Sequence, residues 1–283
     1  MKTLEYRFVD KSTWADGPWH FEPDKRQWQD SATGLFCLVL RHDYLGHFCG
    51  YVSLPLEHAA HGLHHDGITD QEAKTSMKEF RKNIRRWHEA GYPPLTEWHK
   101  QHPLPERDHT PFPGVGEYLA NIEVHGGLSY ADVGNVPTEA TWQKVCERLN
   151  KPSILADAAQ YPLGHTARWV RKWAPVSTDY DTWKTQVLHE TICLEMEPGE
   201  PTDLWFFGFD CCHAWDIQPG MDAMMEQFGT KSPRLHLPGE NVAYRDLAFV
   251  EGEVAKLAKQ LNGLTVLLPL LTSGRGEKPD RIG

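Results

Sequence analysis

Residues 203–216 read Asp-Leu-Trp-Phe-Phe-Gly-Phe-Asp-Cys-Cys-His-Ala-Trp-Asp. The unbroken apolar run from Leu204 to Phe209 predicts a strand covered on both faces, since a half-exposed strand would alternate with polar residues. The run ends in three polar groups at even spacing, Asp210, His213 and Asp216. Rigid backbone gives way to open space at a strand end, which is where chemistry is often placed.

Working backward, Glu190 to Met196 reads as another strand, joined to the Leu204 run through the turn Glu197-Pro-Gly-Glu-Pro-Thr202. That connection predicts antiparallel pairing of the two. Leu35 to Arg41 and Phe48 to Leu54 predict a hairpin around His42–His47, with Cys37, Val39 and Arg41 on one face and Phe36, Leu38 and Leu40 on the other. Pro55 ends its second strand. Tyr118 to Val124 reads as a further strand running into His125-Gly126-Gly127-Leu128-Ser129-Tyr130. The two glycines permit a sharp turn or close backbone approach.

Residues 1–33, rich in tryptophan, proline and charge, read as an irregular arm that packs Trp19 and Trp28 on the body. Helices are expected over 70–90, Thr138–Asn150, Ile154–Trp173, Thr182–Leu188 and 241–262. In the last, Ala243, Leu247, Val250, Val254, Leu257, Ala258 and Leu261 make one apolar stripe suited to covering a sheet face. The expected fold class is α+β: a mainly antiparallel sheet covered by a C-terminal amphipathic helix. Residues 1–271 would form one domain, with a flexible tail over 272–283.

The formal charge of −10 argues against a general nucleic-acid coat. The longest apolar stretch, Leu264 to Leu271, is too short to span a bilayer. Met1-Lys2 is followed by Glu5, Arg7 and Asp10 rather than an apolar signal core, so a cytoplasmic location is expected. Six cysteines without a CxxC pair suit reduced thiols, although Cys37, Cys49 and Cys211 could compose a mixed zinc site.

Four histidines, His58, His61, His64 and His65, fall in a glycine-containing stretch that reads as a surface loop. Lys78, Arg81, Lys82, Arg85 and Arg86 share a face of the 70–90 helix; this is a solvated face or a grip for an acidic or nucleic-acid partner. If the chain turns helically after Asp210, that residue, His213 and Asp216 face nearly the same way. His125, Asp210 and His213 could then hold a divalent ion, with zinc among the candidates, and leave a position for water. Asp216 would orient His213 or, with His58, act as acid/base. Without a metal, His213 could serve as a general base. A structural role for all three, Asp210 making an Asx turn, is the third reading. P-loop, Rossmann, HExxH and nucleophile-elbow signatures are absent.

Several blocks carry a resemblance. Gly17-Pro18-Trp19 with Glu22-Pro23-Asp24-Lys25, Cys49-Gly50-Tyr51-Val52 with His58, Val124 to Tyr130, Trp205 to His213, and Tyr244-Arg245-Asp246 resemble an uncharacterised family frequent in bacteriophage and prophage genomes. The resemblance implies host cytoplasm for a phage-encoded chain and imports no mechanism. It also places His58, His125, Asp210 and His213 in shared blocks, with Arg245 and Tyr130 as candidate ligand contacts. Against that family, about 62–110 and 139–188 look like insertions, and Cys212 and Trp215 depart toward larger side chains, which would narrow the space around His213. Two functions follow as expectations. One is a metal-dependent hydrolase or lyase acting on a small, phosphorylated molecule. The other is a non-enzymatic phage accessory protein that binds or sequesters a ligand or host protein.

Overall fold

The computed structural model describes residues 2–65, 119, 121–162, 164–201, 203–227, 229 and 242–273, without the side chains of 227 and 265–273. Six strands form one antiparallel sheet: β1 Leu4–Tyr6, β2 Lys25–Gln29, β3 Phe36–Arg41, β4 Phe48–Pro55, β5 Tyr130–Val133 and β6 Leu204–Asp210, in the order β1-β2-β3-β4-β6-β5. β6 lies between β4 and β5, with Phe207 opposite both Val52 and Ala131. Being flanked by strands and covered on both faces, it buries every residue from Leu204 to Phe209, which accounts for its unbroken apolar run.

The two faces divide as the alternation in β3 predicts. Cys37 and Val39 join Phe48, Val52, Leu54, Trp205, Phe207 and Phe209 in the first core, while Phe36 and Leu38 join Tyr51 and Phe206 in the second. The first face is covered by α6, Leu247–Ser273, through Val250, Val254, Leu257, Ala258, Leu261 and Leu264, all fully buried. Side chains of this size each contribute roughly 1.5–3 kcal/mol on burial, before the chain-entropy cost. The helix begins at Leu247 rather than 241 because Ala243 forms a parallel bridge with Asp216, which requires extended backbone. It runs on past 262 to Ser273, so 272 and 273 are helical; residues 274–283 lie outside the described chain.

The second face is covered differently from expectation. Glu190 to Met196 is not a strand: Glu190 ends the helix α4, Tyr180–Glu190, and the chain then crosses the sheet without joining its ladder. Side chains of β2 hold it there. Lys25 Nζ donates to the Leu188 carbonyl and, at 2.6 Å, to Cys193 O; Gln27 Nε2 donates to Glu195 O at 3.0 Å and its Oε1 accepts Glu195 N–H at 3.1 Å. Burial pulls the Lys25 ammonium down to about 8, and its place at the carboxyl end of a helix compensates part of that cost. The partners of β6 are therefore β4 and β5.

Two further expectations are corrected. The first 33 residues are not wholly irregular, since they supply β1 and β2. Of the strand expected over Tyr118–Val124, the described residues Leu119 and 121–124 join no ladder, and β5 begins only at Tyr130. The remaining helices are α1 Glu139–Leu149, capped by Thr138, α2 Pro152–Gln160, α3 His165–Trp173 and α5 Met221–Gln227. The single stretch expected over Ile154–Trp173 is thus two helices, broken at Tyr161–Gly164, where Pro162 stands. Leu149, Trp173, Trp183 and Val187 give these helices their own core.

A buried polar network ties the amino-terminal arm to the start of α6. Arg41, wholly buried, donates Nε to Asp24 Oδ1 at 3.1 Å, a terminal nitrogen to Glu22 Oε2 at 2.7 Å and the other to Gly46 O and Tyr244 Oη. Glu22 Oε2 also accepts the Tyr244 hydroxyl at 2.5 Å, and its Oε1 accepts Leu247 N–H at 3.0 Å, capping the helix. Among the described residues no helix is long and apolar enough to cross a membrane.

Candidate metal centre

Three chain segments converge where β6 ends. After Asp210, Cys211 extends the ladder by donating its N–H to Phe48 O. The chain then turns at 213–216, closed by Asp216 N–H to His213 O at 2.9 Å. This turn brings the His213 and Asp216 side chains together: Nδ1 lies 2.8 Å from Oδ2, which also accepts the His213 backbone N–H at 3.1 Å. The second segment is the turn Val124–Gly127, which presents His125; its Nε2 is 2.8 Å from the same Oδ2, and its backbone N–H donates to Glu253 of α6. The third precedes α6. The Asp216–Ala243 bridge places Arg245 alongside, and its Nε donates to Asp216 Oδ1 at 2.9 Å.

The Asp216 carboxylate is wholly buried, His125 nearly so, and His213 and Arg245 about a quarter exposed. Burial pushes the Asp216 carboxyl up. The donors from His125, Arg245 and His213 outweigh it and hold it below its usual range. Phe249 packs edge-on to His125 and beneath the Arg245 guanidinium, while Trp215 stacks on His213 at 5.0 Å and 7°. The larger side chain at 215 therefore forms one wall of the site.

His125, His213 and Asp216 each offer one ligand atom, all within 4.8 Å of one another. Two imidazole nitrogens and one carboxylate oxygen suit zinc or a first-row divalent ion and leave coordination positions open. Both nitrogens also lie 2.8 Å from the Asp216 carboxylate, so an ion would have to compete with those two contacts.

Asp210, the acid expected among the ligands, stands outside this group. Its Oδ1 accepts Cys212 N–H at 3.0 Å and its Oδ2 accepts the Ser129 hydroxyl at 3.1 Å, an Asx turn plus a link to the strand-leading segment. The turn starts at 213 rather than 210, so Asp216 takes the position in the cluster that spacing had assigned to Asp210. His58, expected as an acid/base, is remote: Nε2 lies 3.0 Å from Leu261 O and Nδ1 accepts Ala60 N–H. That is about 20 Å along α6 from its amino end, taking 1.5 Å per residue. Burial lowers its basicity. Tyr130, expected as a ligand contact, packs in the second core, edge-on to Tyr51 at 5.3 Å.

Cys37 and Cys211 lie in the first core and Cys49 packs against the second, so the mixed zinc site does not form; all six thiols are free. The basic face of Lys78, Arg81, Lys82, Arg85 and Arg86 lies outside the described residues, as does most of the 62–110 stretch. The residues that spacing alone could not supply are Glu253 and Phe249, which seat His125. They belong to the α6 pattern as one buried acid and one aromatic beside the apolar stripe.

Fold and site together define an antiparallel α+β protein with a two-histidine, one-carboxylate cluster beyond the end of β6, the strand next to the sheet's edge. Compared with protein-family models, with curated proteins and with solved structures, the chain shows no match.

Proposed function

We propose that this chain is a metal-dependent hydrolase whose divalent ion is held by His125 Nε2, His213 Nδ1 and Asp216 Oδ2, and whose substrate is a small anionic, phosphorylated molecule. The observation that carries the reading is the convergence of these three ligand atoms within 4.8 Å from separate segments of the chain. Charge favours an anionic substrate. Arg245 already answers the Asp216 carboxylate, so two neutral imidazoles would leave the ion's charge largely uncompensated by protein. An ion in such a setting acidifies bound water and polarises a phosphoryl or acyl oxygen. Arg245, about a quarter exposed and bonded to Asp216 through Nε, has terminal nitrogens suited to a substrate oxygen.

The test is hydrolysis of para-nitrophenyl phosphate and its bis-ester by the full chain. Activity should disappear on chelation, return with zinc or manganese, and be absent in His213→Ala. Chelator-resistant turnover, or none with any divalent metal across mono-, di- and carboxylic esters, counts against the enzyme. Metal-free protein whose stability is unaltered by His213→Ala would support the rival reading, a phage accessory protein that works by binding.

A further inference from the structure

A second constellation, built from other residues, lies in the helical layer. The last turn of α1, the helix α3 and the β3–β4 hairpin line a cavity of about 340 Å³, in which Arg148, Arg168, Lys172 and His165 face a single acid, Asp43, beside the rings of Trp169 and Tyr44. We infer that this cavity is a binding site for a small phosphorylated anion, with the Arg148 and Arg168 guanidiniums as its principal contacts.

Each guanidinium is mounted on an aromatic face. Arg148 lies 4.4 Å over the Trp169 ring and Arg168 4.0 Å over the Tyr44 ring. Stacking restrains the plane of the guanidinium and leaves its edge N–H groups free to aim at an acceptor. Neither has a carboxylate partner among the described residues, although the protein carries 39 acids against 29 basic residues. Lys172 differs: Asp43 and Glu190 flank it at 3.5 and 3.3 Å, so its charge is already answered. The surplus belongs to the two arginines, and paired planar forks match phosphate oxygens better than they match a single carboxylate. Their neighbour Arg171, three residues after Arg168, is spent on the Pro162 carbonyl at 2.6 Å.

The size of the cavity and what adjoins it narrow the ligand. A volume near 340 Å³ is that of a small-molecule site. A nucleic-acid backbone would call for an extended basic stripe instead. A second cavity of about 360 Å³ shares the Trp169 wall and is lined further by Trp173, Trp183, Val145 and Val187. Trp183 is 3 % exposed, and its Nε1 is buried without an acceptor among the described residues. An anion seated on the arginines thus has apolar, aromatic space beside it for an organic body.

The experiment is titration of the full chain with inorganic pyrophosphate at low ionic strength, in the presence of chelator, read by calorimetry and by tryptophan fluorescence. The proposal expects one saturable site. Its dissociation constant should rise at least tenfold in the Arg148→Gln, Arg168→Gln double variant and stay unchanged in Asp216→Asn. Arg148→Lys with Arg168→Lys, which keeps the charge but removes the planar stacked forks, guards against misfolding and should fall between. No saturation into the millimolar range overturns the proposal. So does binding that is lost in Asp216→Asn but kept in the arginine variants, or an oligonucleotide that binds through these arginines and is not displaced by pyrophosphate. Because chelator is present throughout, failure here leaves the metal reading standing, and the reverse holds.

Discussion

A methyl group on Gly126 would sit 2.0 Å from His213 Nε2, so the backbone of one turn forms the floor on which the imidazole of another rests. Gly126 also has φ of +69°, a region that L side chains enter at a cost of about 1–2 kcal/mol. Gly126→Ala should therefore carry two penalties, lowering stability by about 2–4 kcal/mol and displacing His213. Gly127 is the internal control. Its φ is +84° but nothing lies within 4 Å of the added carbon, so Gly127→Ala should cost only the backbone part, about 1 kcal/mol. Denaturant melts of the two variants check the difference. Equal losses would show that His213 does not rest on Gly126.

Glu22 should be among the most sensitive positions outside the core. Its carboxylate serves the buried Arg41, the Tyr244 hydroxyl and the first amide of α6 together. Removing one partner of a buried pair costs about 3–5 kcal/mol, because the other charge is left in low dielectric. Asp24 still answers Arg41 after the change, so Glu22→Ala is expected at the lower end, about 3 kcal/mol. Tyr244→Phe, which deletes one hydroxyl, should cost about 1 kcal/mol. Chemical denaturation measures both.

His47 sets an acid limit on stability. The ring is 4 % exposed and its Nδ1 is buried without a partner among the described residues. Burial first, and then the neighbouring His42, pulls it down to about 4, against the opposing pull of Asp210 and Asp216. Unfolded, the same group titrates near 6.5. Between those values the unfolded chain binds more protons, so this contribution is complete above pH 6.5 and is lost as pH falls through 4. The difference is at most about 3 kcal/mol. Urea melts at pH 7 and pH 4 should show a smaller drop for His47→Leu than for the parent chain. Parallel drops would remove His47 from the account.

Much of the sheet is legible in the residues themselves. β3, β4 and β6 announce themselves because apolar side chains fill both faces, and the α6 stripe predicts the face it covers. β2 does not, because its two buried inward positions are Lys25 and Gln27, whose partners are backbone groups of residues 188–195. An apolar-alternation rule cannot see a strand that buries polar groups. The same bonds explain the misread segment at 190–196: it is apolar because it covers a face, yet β2 side chains take its hydrogen bonds and no ladder does. At the site, His125 and His213 are identifiable from the turn glycines and the strand end, whereas nothing in the local pattern around Arg245 marks it, since the parallel bridge between Asp216 and Ala243, distant in sequence, brings it alongside. The choice between Asp210 and Asp216 is not legible either, since it depends on where the turn begins, a shift of three residues that spacing leaves open.

The pairing of Asp216 rather than Asp210 with the two imidazoles also gives the most direct test of the metal centre. Protein purified without chelator is analysed for bound metal beside Asp216→Asn, Asp210→Asn and His213→Ala. Near-stoichiometric divalent metal is expected in the parent and in Asp210→Asn, and at least a tenfold loss of affinity in Asp216→Asn and His213→Ala, on the scale of losing a ligand. Metal-free parent protein that takes up no divalent ion on dialysis, or metal that survives Asp216→Asn and disappears in Asp210→Asn, would contradict the metal centre.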